Sequence, residues 1–442
     1  MKGVGYSKKI YWLLPIACFI AYCLLPSACL YAYSQLGYEN YGDPVTGFTA
    51  RSVGMGSTDI TDAIDSAALA SNPAALLNVT AKKLVISFSP VYNLFEERRN
   101  VADIDTAHAK MTIDGFGAAT YLYYGDSDYL NRVIAGIHYH PVTDLSYEFS
   151  DISLPGAAQI TEADSIDSSG GINELDLGLG VEIIKEIYAG FTYGMLSGEN
   201  SVNFSSECYN NNNPISSYRD NTKRKFDGSC QRYGLMFTEW DYSLGMFYQP
   251  AASITTKTSG TMSEYVPTAM NVPISFEEQA NIPEKFGIGF SYRFKDKYRT
   301  LFAVDYVQQD WNAFTSTSTV VGGVPTGNKK QNIAGYDAAR ELKVGFQHWL
   351  NDWIPIRYGF RYQQFYQTWD NKLGDFYHLG QMVITKKEVP TFYCISLGTG
   401  YVVGYFDIDF GFEFGKRSYE AASSERYDDY LQKFALTSRY RW

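Results

Sequence analysis

The sequence has few charged residues, few cysteines and, after residue 31, no long hydrophobic run. Asp, Glu, Lys and Arg make up 19% of the 442 residues, below the roughly one quarter that is usual in soluble domains. Acidic residues outnumber basic ones, and the net charge of −11 argues against a nucleic-acid partner. No stretch beyond residue 31 reaches the roughly 18 uninterrupted apolar residues that a membrane-spanning helix needs, so we expect none there.

The six cysteines fall into two groups. Three lie within the first 29 residues, and the others are Cys208, Cys230 and Cys394. Cys208 and Cys230 flank a polar, Asn-rich stretch, and they are candidates for a disulfide that closes a loop in an oxidising compartment. Two free thiols are the alternative. Cys394 stands alone in a strand pattern, which predicts a small buried residue.

Aromatic residues are abundant, with 37 Tyr and 27 Phe against 7 Trp. Amphipathic rings settle at the boundary between lipid and water, so this composition suits a protein with a wide membrane-facing surface. A Tyr-rich soluble β-protein has the same composition, and only the pattern along the chain separates the two.

The N-terminus has the pattern of a secretory leader, which we place at 1–32. Three lysines among the first nine residues precede an apolar stretch at 10–25, and small residues follow from Pro26 onward. We expect cleavage after Ala32. Lipidation at Cys29 and an uncleaved anchor are the alternatives.

Residues 33–80 form a distinct segment that is rich in Gly, Ala and Ser and has no alternating pattern. Asn72 is a good N-cap and Pro73 suits the first helical position, which predicts a short helix over 73–79. A helix this short is not stable alone in water. It must therefore pack inside something larger.

From residue 82 to the C-terminus, fourteen stretches show a period of two, the first at 82–92 and the last at 428–442. In 174–184 one face is aliphatic and the other is polar or small, as in a strand between lipid and a lumen. Short connections, including one at Pro250, alternate with long polar ones, including 198–230 and 263–281. This sorting predicts an all-β fold, a 14-stranded antiparallel transmembrane β-barrel over 81–442 in a bacterial outer membrane.

Two details of the strands bear on this prediction. The last stretch alternates up to a terminal aromatic, Trp442, which resembles the C-terminal signal that the barrel assembly machinery recognises in outer-membrane barrels. Pro141 falls inside the third stretch, where it cannot donate to the ladder. It predicts a bulge or kink there, or else the end of that strand at His140.

No arrangement of residues predicts catalysis. No Ser, His and Asp or Cys and His residues stand in an activating context, so we expect no enzyme activity. His138 and His140 lie two apart in a strand and share a face, as two metal ligands would. No third ligand is visible beside them, so we predict neither a metal nor a cofactor.

The residues before the first strand resemble a known family. The stretch from Gly47 through Ala50-Arg51-Ser52 and Gly54-Met55-Gly56, continuing with Asp65-Ser66-Ala67-Ala68 and Asn72-Pro73-Ala74-Ala75-Leu76, is similar to the N-terminal region of the FadL-type (OMPP/FadL/TodX) outer-membrane transporters of hydrophobic compounds. The resemblance implies a barrel plugged by its own N-terminal hatch. A ligand would enter near the outer loops, wait in an interior pocket and leave sideways through a defect in the third strand, here at Pro141.

The resemblance also implies a function: passive transport of hydrophobic small molecules, above all long-chain fatty acids, by a monomer surrounded by outer-membrane lipid. The hatch residues expected to form the gate are Phe48, Arg51, Met55, Asn72 and Pro73, and a fixed structural plug is the alternative for the last two. Apolar residues of the fourth outer loop are candidates for ligand capture: Tyr265, Val266, Met270, Val272 and Phe276. The alternative function is a structural or secretion-associated barrel that binds a partner protein through its outer loops.

Overall fold

The structure is a computed structural model that describes residues 41–79, 83–99, 104–125, 129–152, 160–210, 213–266, 268–320, 336–366, 389–420 and 426–442. The predicted leader at 1–32 lies outside the described residues. Within them, no helix is long and apolar enough to cross a membrane.

Fourteen antiparallel strands form one closed barrel, as the sequence predicts. The last strand pairs with the first, from Arg441 opposite Val85 to Tyr427 opposite Arg99. The strands are β1 (Leu84–Arg99), β2 (Ile104–Tyr124), β3 (Tyr129–Asp144, continued by Tyr147–Ile152), β4 (Ile160–Ile184), β5 (Ile187–Asn210), β6 (Asn213–Glu239), β7 (Tyr242–Gln249 and Ala252–Val266), β8 (Thr268–Ile282 and Lys285–Arg293), β9 (Leu301–Asp310 and Thr315–Val320), β10 (Ala338–Trp349), β11 (Pro355–Gln364), β12 (Thr391–Val403), β13 (Phe406–Glu420) and β14 (Arg426–Arg441).

The two faces of each strand separate apolar from polar residues. In β4, Leu177 and Leu179 are 44% and 41% exposed on the outer wall, while Asp176 is fully buried in the lumen. Successive side chains of a strand point to opposite faces, so a period of two fixes which residues face outward. The aliphatic face predicted for 174–184 is confirmed as the outer one.

One predicted turn is wrong. The chain does not reverse at Pro250 after a single strand over 231–249; it reverses at Trp240 and Asp241, between β6 and β7. Trp240 takes the left-handed conformation, with a φ of 52°. Trp does not usually mark a turn in a sequence, so the alternating pattern continues across Trp240 and two strands look like one. Pro250 instead interrupts β7, where its missing N–H breaks the ladder.

Two segments predicted as outer loops are largely strand in the structure. Much of 198–230 and 263–281 continues β5 to β8 as paired strands, and β6 alone has 27 residues, whereas about 9 to 11 suffice to span a membrane. Polar residues are frequent on both faces of this extension, so much of its sequence resembles a loop. The Cys208–Cys230 disulfide is wrong for the same reason: Cys208 lies opposite Ser216 and Cys230 opposite Gly194, and both thiols are free.

The described part of the N-terminal segment lies inside the barrel as a plug. It contains a short strand (Asp43–Pro44), the helix α1 (Ala50–Gly54) and two 3₁₀ helices (Ser66–Ala70 and Pro73–Asn78). The helix predicted over 73–79 is therefore present as a 3₁₀ helix. From Ala50 to Val79, most plug residues are buried, and Val53, Met55 and Leu76 are fully so.

Glycines of the inner wall allow the plug backbone to lie directly against the strands. We call this ring the glycine belt. A Cβ added at Gly234 would overlap the Oδ1 of Asn72, and one at Gly345 would overlap the carbonyl of Met55. Many members lie directly opposite one another in neighbouring strands, including Gly190 with Gly234. The members that contact the plug lie on eleven strands: Gly115, Gly117, Gly136, Gly178, Gly180, Gly190, Gly234, Gly245, Gly287, Gly289, Gly345, Gly359, Gly398 and Gly411.

Substitution of a belt glycine should displace the plug. In Gly234→Val the new side chain cannot coexist with Asn72 and Pro73, and overpacking of this kind costs about 1–3 kcal/mol. We expect Arg51, which is 5% exposed, to become cleavable by trypsin in the folded barrel, and the conductance of small ions to rise.

The control is Gly404→Asn, at a turn glycine with φ +60° and no atom within 4 Å of an added Cβ, because Asn tolerates this conformation. Equal protection of Arg51 in both variants would contradict the role of the belt.

Candidate functional site in the plugged lumen

Each short helix of the plug begins at a side chain that caps it. Thr49 accepts a hydrogen bond from the Ser52 N–H at 3.2 Å, and Asn72 accepts one from the Ala74 N–H at 3.1 Å. Asp65 caps the first 3₁₀ helix in the same way, through the Ala67 N–H at 3.0 Å. These caps satisfy donors that water cannot reach inside a barrel.

The five predicted gate residues fall into two groups. Arg51, Met55, Asn72 and Pro73 lie deep in the plug: Arg51 pairs with Asp62 at 3.0 Å, and Asn72 Nδ2 donates to the carbonyls of Ile60 and Leu235. Phe48 lies higher, toward the long-loop end, where its ring is 4.4 Å from that of His140. All five residues lie in the plug, but of the five only Phe48 lines the cavity described below.

Wall side chains also hold the plug by hydrogen bonds. Asp305 of β9 accepts from the backbone N–H groups of Asp59 and Ile60 at 2.8 and 3.1 Å. Arg439 of β14 donates to Asp65 at 3.1 Å and pairs with two aspartates of β13. Arg439 is only 2% exposed, and a buried charge without partners is costly, so the fold depends on these pairs. Sequence analysis missed both residues because their partners are set by strand register.

The backbone ladder between β2 and β3 has a gap, which we call the side opening. Their pairing runs from the short-turn end to Phe116 opposite Tyr139. Beyond Tyr139, β3 stays paired with β4 through a register shift between Pro141 and Thr143, and the described residues show no further ladder with β2. The predicted kink at Pro141 is therefore present as a bulge, and the strand continues past His140. Side chains cross the opening instead, such as Lys110 of β2, whose Nζ donates to Ser146 Oγ at 2.9 Å.

The start of the plug covers the opening from inside. Pro44 lies opposite Thr143 in an antiparallel pair, and the Val45 N–H donates to the carbonyl of Val142 at 3.0 Å. The Tyr41 N–H donates to the hydroxyl of Tyr366 at 2.8 Å. Tyr366 in turn stacks on Trp311 with ring centres 4.1 Å apart. Residues 41–48, which we call the N-terminal strap, thus lie between the opening and an aromatic cluster.

A cavity of about 140 Å³ lies between the plug and the wall, on the long-loop side. Its apolar lining includes Val142, Ile172, Leu196, Ile254 and Val307, and the strap contributes Phe48. Polar groups gather on another part of its surface, where His140, Glu174 and Arg232 meet. The cavity is therefore amphipathic, with an apolar wall facing a charged floor.

The predicted capture residues lie at the tip of the long hairpin of β7 and β8, away from the cavity. Val272 pairs with Met262 and Phe276 with Thr258 in an unbroken ladder. Val272 and Phe276 are four residues apart in the same strand, so they share one face. Met270 shares this face, and so does Glu264, with which it pairs. Tyr265 directly follows Glu264 in the strand, so it points to the other face. Val266 pairs with Thr268 at the tip. Capture by this set stays a prediction.

The fold and the plug together define a fourteen-stranded barrel of the FadL type. Similar solved structures include the toluene transporter TodX of Pseudomonas putida, with a TM-score of 0.60, 13% identity and coverage of 91% of this chain and 100% of TodX. A FadL homologue of Pseudomonas aeruginosa gives 0.61, 13%, 90% and 99%. The toluene transporter TbuX of Ralstonia pickettii gives 0.57, 15%, 89% and 98%. At these identities the likeness shows the fold.

The chain belongs to the BamG family, whose model matches residues 16–428. No curated protein matches the sequence significantly.

Asp59 is an acidic group of the plug that weakens it at neutral pH. Burial raises the pKa of Asp59 to about 6, and nearby Asp62 adds to the shift while Lys343 opposes it. A carboxyl whose pKa is higher in the folded state stabilises the fold at low pH and loses this contribution as the pH rises. We therefore expect Asp59→Asn to melt at a higher temperature than the parent protein at pH 7.5. The unfolding free energy of the variant should exceed that of the parent by at most about 3 kcal/mol.

The difference should develop between about pH 4 and 6 and vanish below pH 4, as calorimetry in detergent can measure. The control is Asp352→Asn, at a turn position with an 85% exposed side chain. It should have the same stability as the parent at pH 3.5 and at pH 7.5. A gain of equal size at pH 3.5 and 7.5 would contradict this explanation.

Proposed function

We propose that the protein is a channel of the bacterial outer membrane that passes hydrophobic small molecules through the side opening between β2 and β3. The observation that carries the proposal is the amphipathic cavity that reaches the bulged part of β3. Val142 and His140 flank Pro141 and both line the cavity. A solute in the cavity is thus already next to the gap in the wall.

The outer surface supports a place in a membrane. Its exposed residues include Leu235, Leu244 and Ile288, each between 51% and 52% exposed. Aromatic side chains gather at the short-turn end, as in the girdles of outer-membrane barrels. They are Tyr129, Trp240, Trp353, Tyr405 and Trp442, all more than half exposed.

The physical advantage of a side route is that the solute avoids water. An apolar compound entering from outside meets the polar surface of the outer leaflet first. A lumen with an apolar wall takes the compound below that layer, and the side opening releases it into lipid. The plug need not clear the lumen for this, because the route bends away above it.

The size of the cavity bears on the ligand. A cavity of about 150 Å³ lined by apolar residues can hold benzene, and this one has about 140 Å³. Two of the structural relatives are toluene transporters by name. A long-chain fatty acid, the ligand expected from the sequence, fits only if the cavity widens, so we propose small aromatic hydrocarbons and fatty acids as the two ligand classes to compare.

We further propose that gating is confined to the strap. The part of the plug from Ala50 to Val79 is clamped by the glycine belt. The strap is held mainly by polar contacts: the Pro44–Thr143 pair, the ion pair of Asp43 with Arg417 at 3.1 Å, and hydrogen bonds with Tyr366, Glu278 and Lys433. Movement of the strap would join the cavity to the opening while the deeper plug stays closed.

Uptake of radiolabelled toluene and oleate tests the function. Cells that carry the protein in place of their own hydrophobic-compound channel should take up at least one of the two saturably. Ala252→Trp should lower this uptake at least tenfold, because Ala252 lines the cavity and is 4% exposed.

Ser253→Trp is the matched control, because its side chain points to the outer side of the same strand. Equal uptake in both variants, or none above cells without the protein, would contradict a route through the cavity.

A disulfide staple tests the gate. Pro44→Cys with Thr143→Cys, in a chain with Cys208, Cys230 and Cys394 replaced by Ser, should join the strap to β3, since paired positions of antiparallel strands lie within disulfide reach. Oxidation should abolish uptake and reduction should restore it. Ser291→Cys with Ala303→Cys, a pair within the wall, should leave uptake insensitive to oxidation. Uptake that persists through the oxidised strap pair would locate the gate elsewhere.

The alternative function, binding of a partner protein, is favoured by a different observation. β4 to β8 rise beyond the length that a membrane needs and form a polar sheet with pairs such as Lys223 and Glu199, 2.6 Å apart. This sheet is an extended surface that ligand passage does not require. Folded protein that takes up neither toluene nor oleate would leave this function as the better account.

A further inference from the structure

Three side chains of types that bind metal ions meet beside the cavity, and two of them, His140 and Glu174, line it. His140 of β3 and Glu174 and Asp176 of β4 each offer one atom, and these atoms lie within 4.8 Å of one another. His140 Nε2 is 3.2 Å from Asp176 Oδ2 and 3.8 Å from Glu174 Oε2. All three side chains are at most 3% exposed.

The orientation of His140 is fixed. Its Nδ1 lies 3.1 Å from the carbonyl of Pro141, and a carbonyl only accepts, so Nδ1 carries the proton. In the neutral ring, Nε2 then presents a lone pair to two carboxylates. That contact is repulsive unless a proton or a metal ion lies between them. A ring N–H held by a backbone carbonyl is also how metal-bound histidines are usually oriented.

The charges of this cluster do not balance without a further cation. Arg232 Nη2 is 3.2 Å from Glu174 Oε1, and Nη1 is 3.6 Å from Asp176 Oδ2. One guanidinium between two carboxylates leaves one negative charge, which is costly to bury. Asp176 Oδ1 is buried and has no hydrogen-bond partner among the described residues. An acceptor is thus left over where positive charge is missing.

We propose that His140, Glu174 and Asp176 bind a divalent transition-metal ion, for which zinc is the best fit. Zinc takes imidazole nitrogen and carboxylate oxygen at about 2.0–2.2 Å, so ligand atoms of one site lie about 3.2–3.6 Å apart, as the His140–Asp176 distance does. Cys230 Sγ, 3.0 Å from Glu174 Oε1, is within reach as a fourth ligand. Glu174 and His140 line the cavity, which provides the entry path.

The ion would connect two strands at the side opening. His140 immediately precedes the bulge at Pro141, and both carboxylates belong to β4. A bound ion therefore fixes the bulged segment of β3 to its neighbour on the closed side of the gap. The binding site stands on these contacts alone and does not rest on the proposed transport function.

Cobalt titration of the purified, full barrel in detergent tests the site. After removal of metals with a chelator, Co²⁺ should bind in one equivalent and give visible d–d absorption, and Zn²⁺ should displace it. Heat-modifiable migration on gels reports whether each variant is folded. His140→Ala, Glu174→Gln and Asp176→Asn should each weaken Co²⁺ binding at least about a hundredfold, since loss of a supporting group alone costs 10–100-fold.

His348→Asn is the matched control: this histidine bonds to Thr300 and Tyr358 near the short-turn end, and its loss should leave binding unchanged. Three cluster variants are measured so that the result does not depend on a single variant that fails to fold. If folded parent protein binds no stoichiometric Co²⁺, or if the folded cluster variants bind it as the parent does, the proposal is overturned. A proton on His140 is then the balancing charge.

Discussion

The inner wall of this barrel accepts its plug only where the wall has no side chains. Backbone atoms of the plug, such as the Met55 carbonyl, lie so close to Gly345 and its counterparts that even a methyl group would collide. Glycine weakens a strand interior because it adds conformational entropy to the unfolded chain and packs nothing. A ring of them on eleven strands therefore destabilises the wall, and the plug offsets this cost. The plug has the matching limitation, since its helices are too short to persist in water. Barrel and plug thus depend on each other for stability.

Packing of backbone on backbone also explains why so many charges are buried. Where the wall is not glycine, it is often ionic, and each buried cation has a partner nearby: Arg439 with Asp65, Arg361 with Glu413 at 2.6 Å, and Lys433 with Asp114 at 2.8 Å. A buried pair adds little net stability, but removal of one partner is expensive. Such pairs therefore fix register and the position of the plug more than they raise stability. The cluster around His140 differs, because a histidine nitrogen and two carboxylate oxygens converge there within 4.8 Å of one another. That convergence distinguishes a candidate binding site from the structural pairs.

The sequence predicts the barrel well because a period of two determines both strand number and outward face. It predicts the caps of the plug for a similar reason: Asn72 and Pro73 act on their own neighbours in the chain. It fails where geometry depends on distant partners. Trp240 takes the left-handed position of a turn although Trp is not a typical turn residue, and the extension of β5 to β8 resembles a loop because polar residues are frequent on both its faces. Glu174 and Asp176 complete the histidine cluster only through the register of β3 with β4. One missed signal was present, however. Repeated glycines in strand interiors mark places where another backbone approaches.

The same contacts decide which part of the plug is free to move. Displacement of the segment from Ala50 to Val79 would break close packing on eleven strands at once and would separate the buried Asp65 from Arg439. Displacement of the strap would break its short strand pair with β3, the ion pair of Asp43 with Arg417 and hydrogen bonds to Tyr366, Glu278 and Lys433, but it would leave the packing of the deeper plug on the wall intact. Conformational change follows the lowest free-energy cost. These contacts support the proposal that gating is confined to the strap, which lies beside Pro141, where a solute is proposed to leave the lumen.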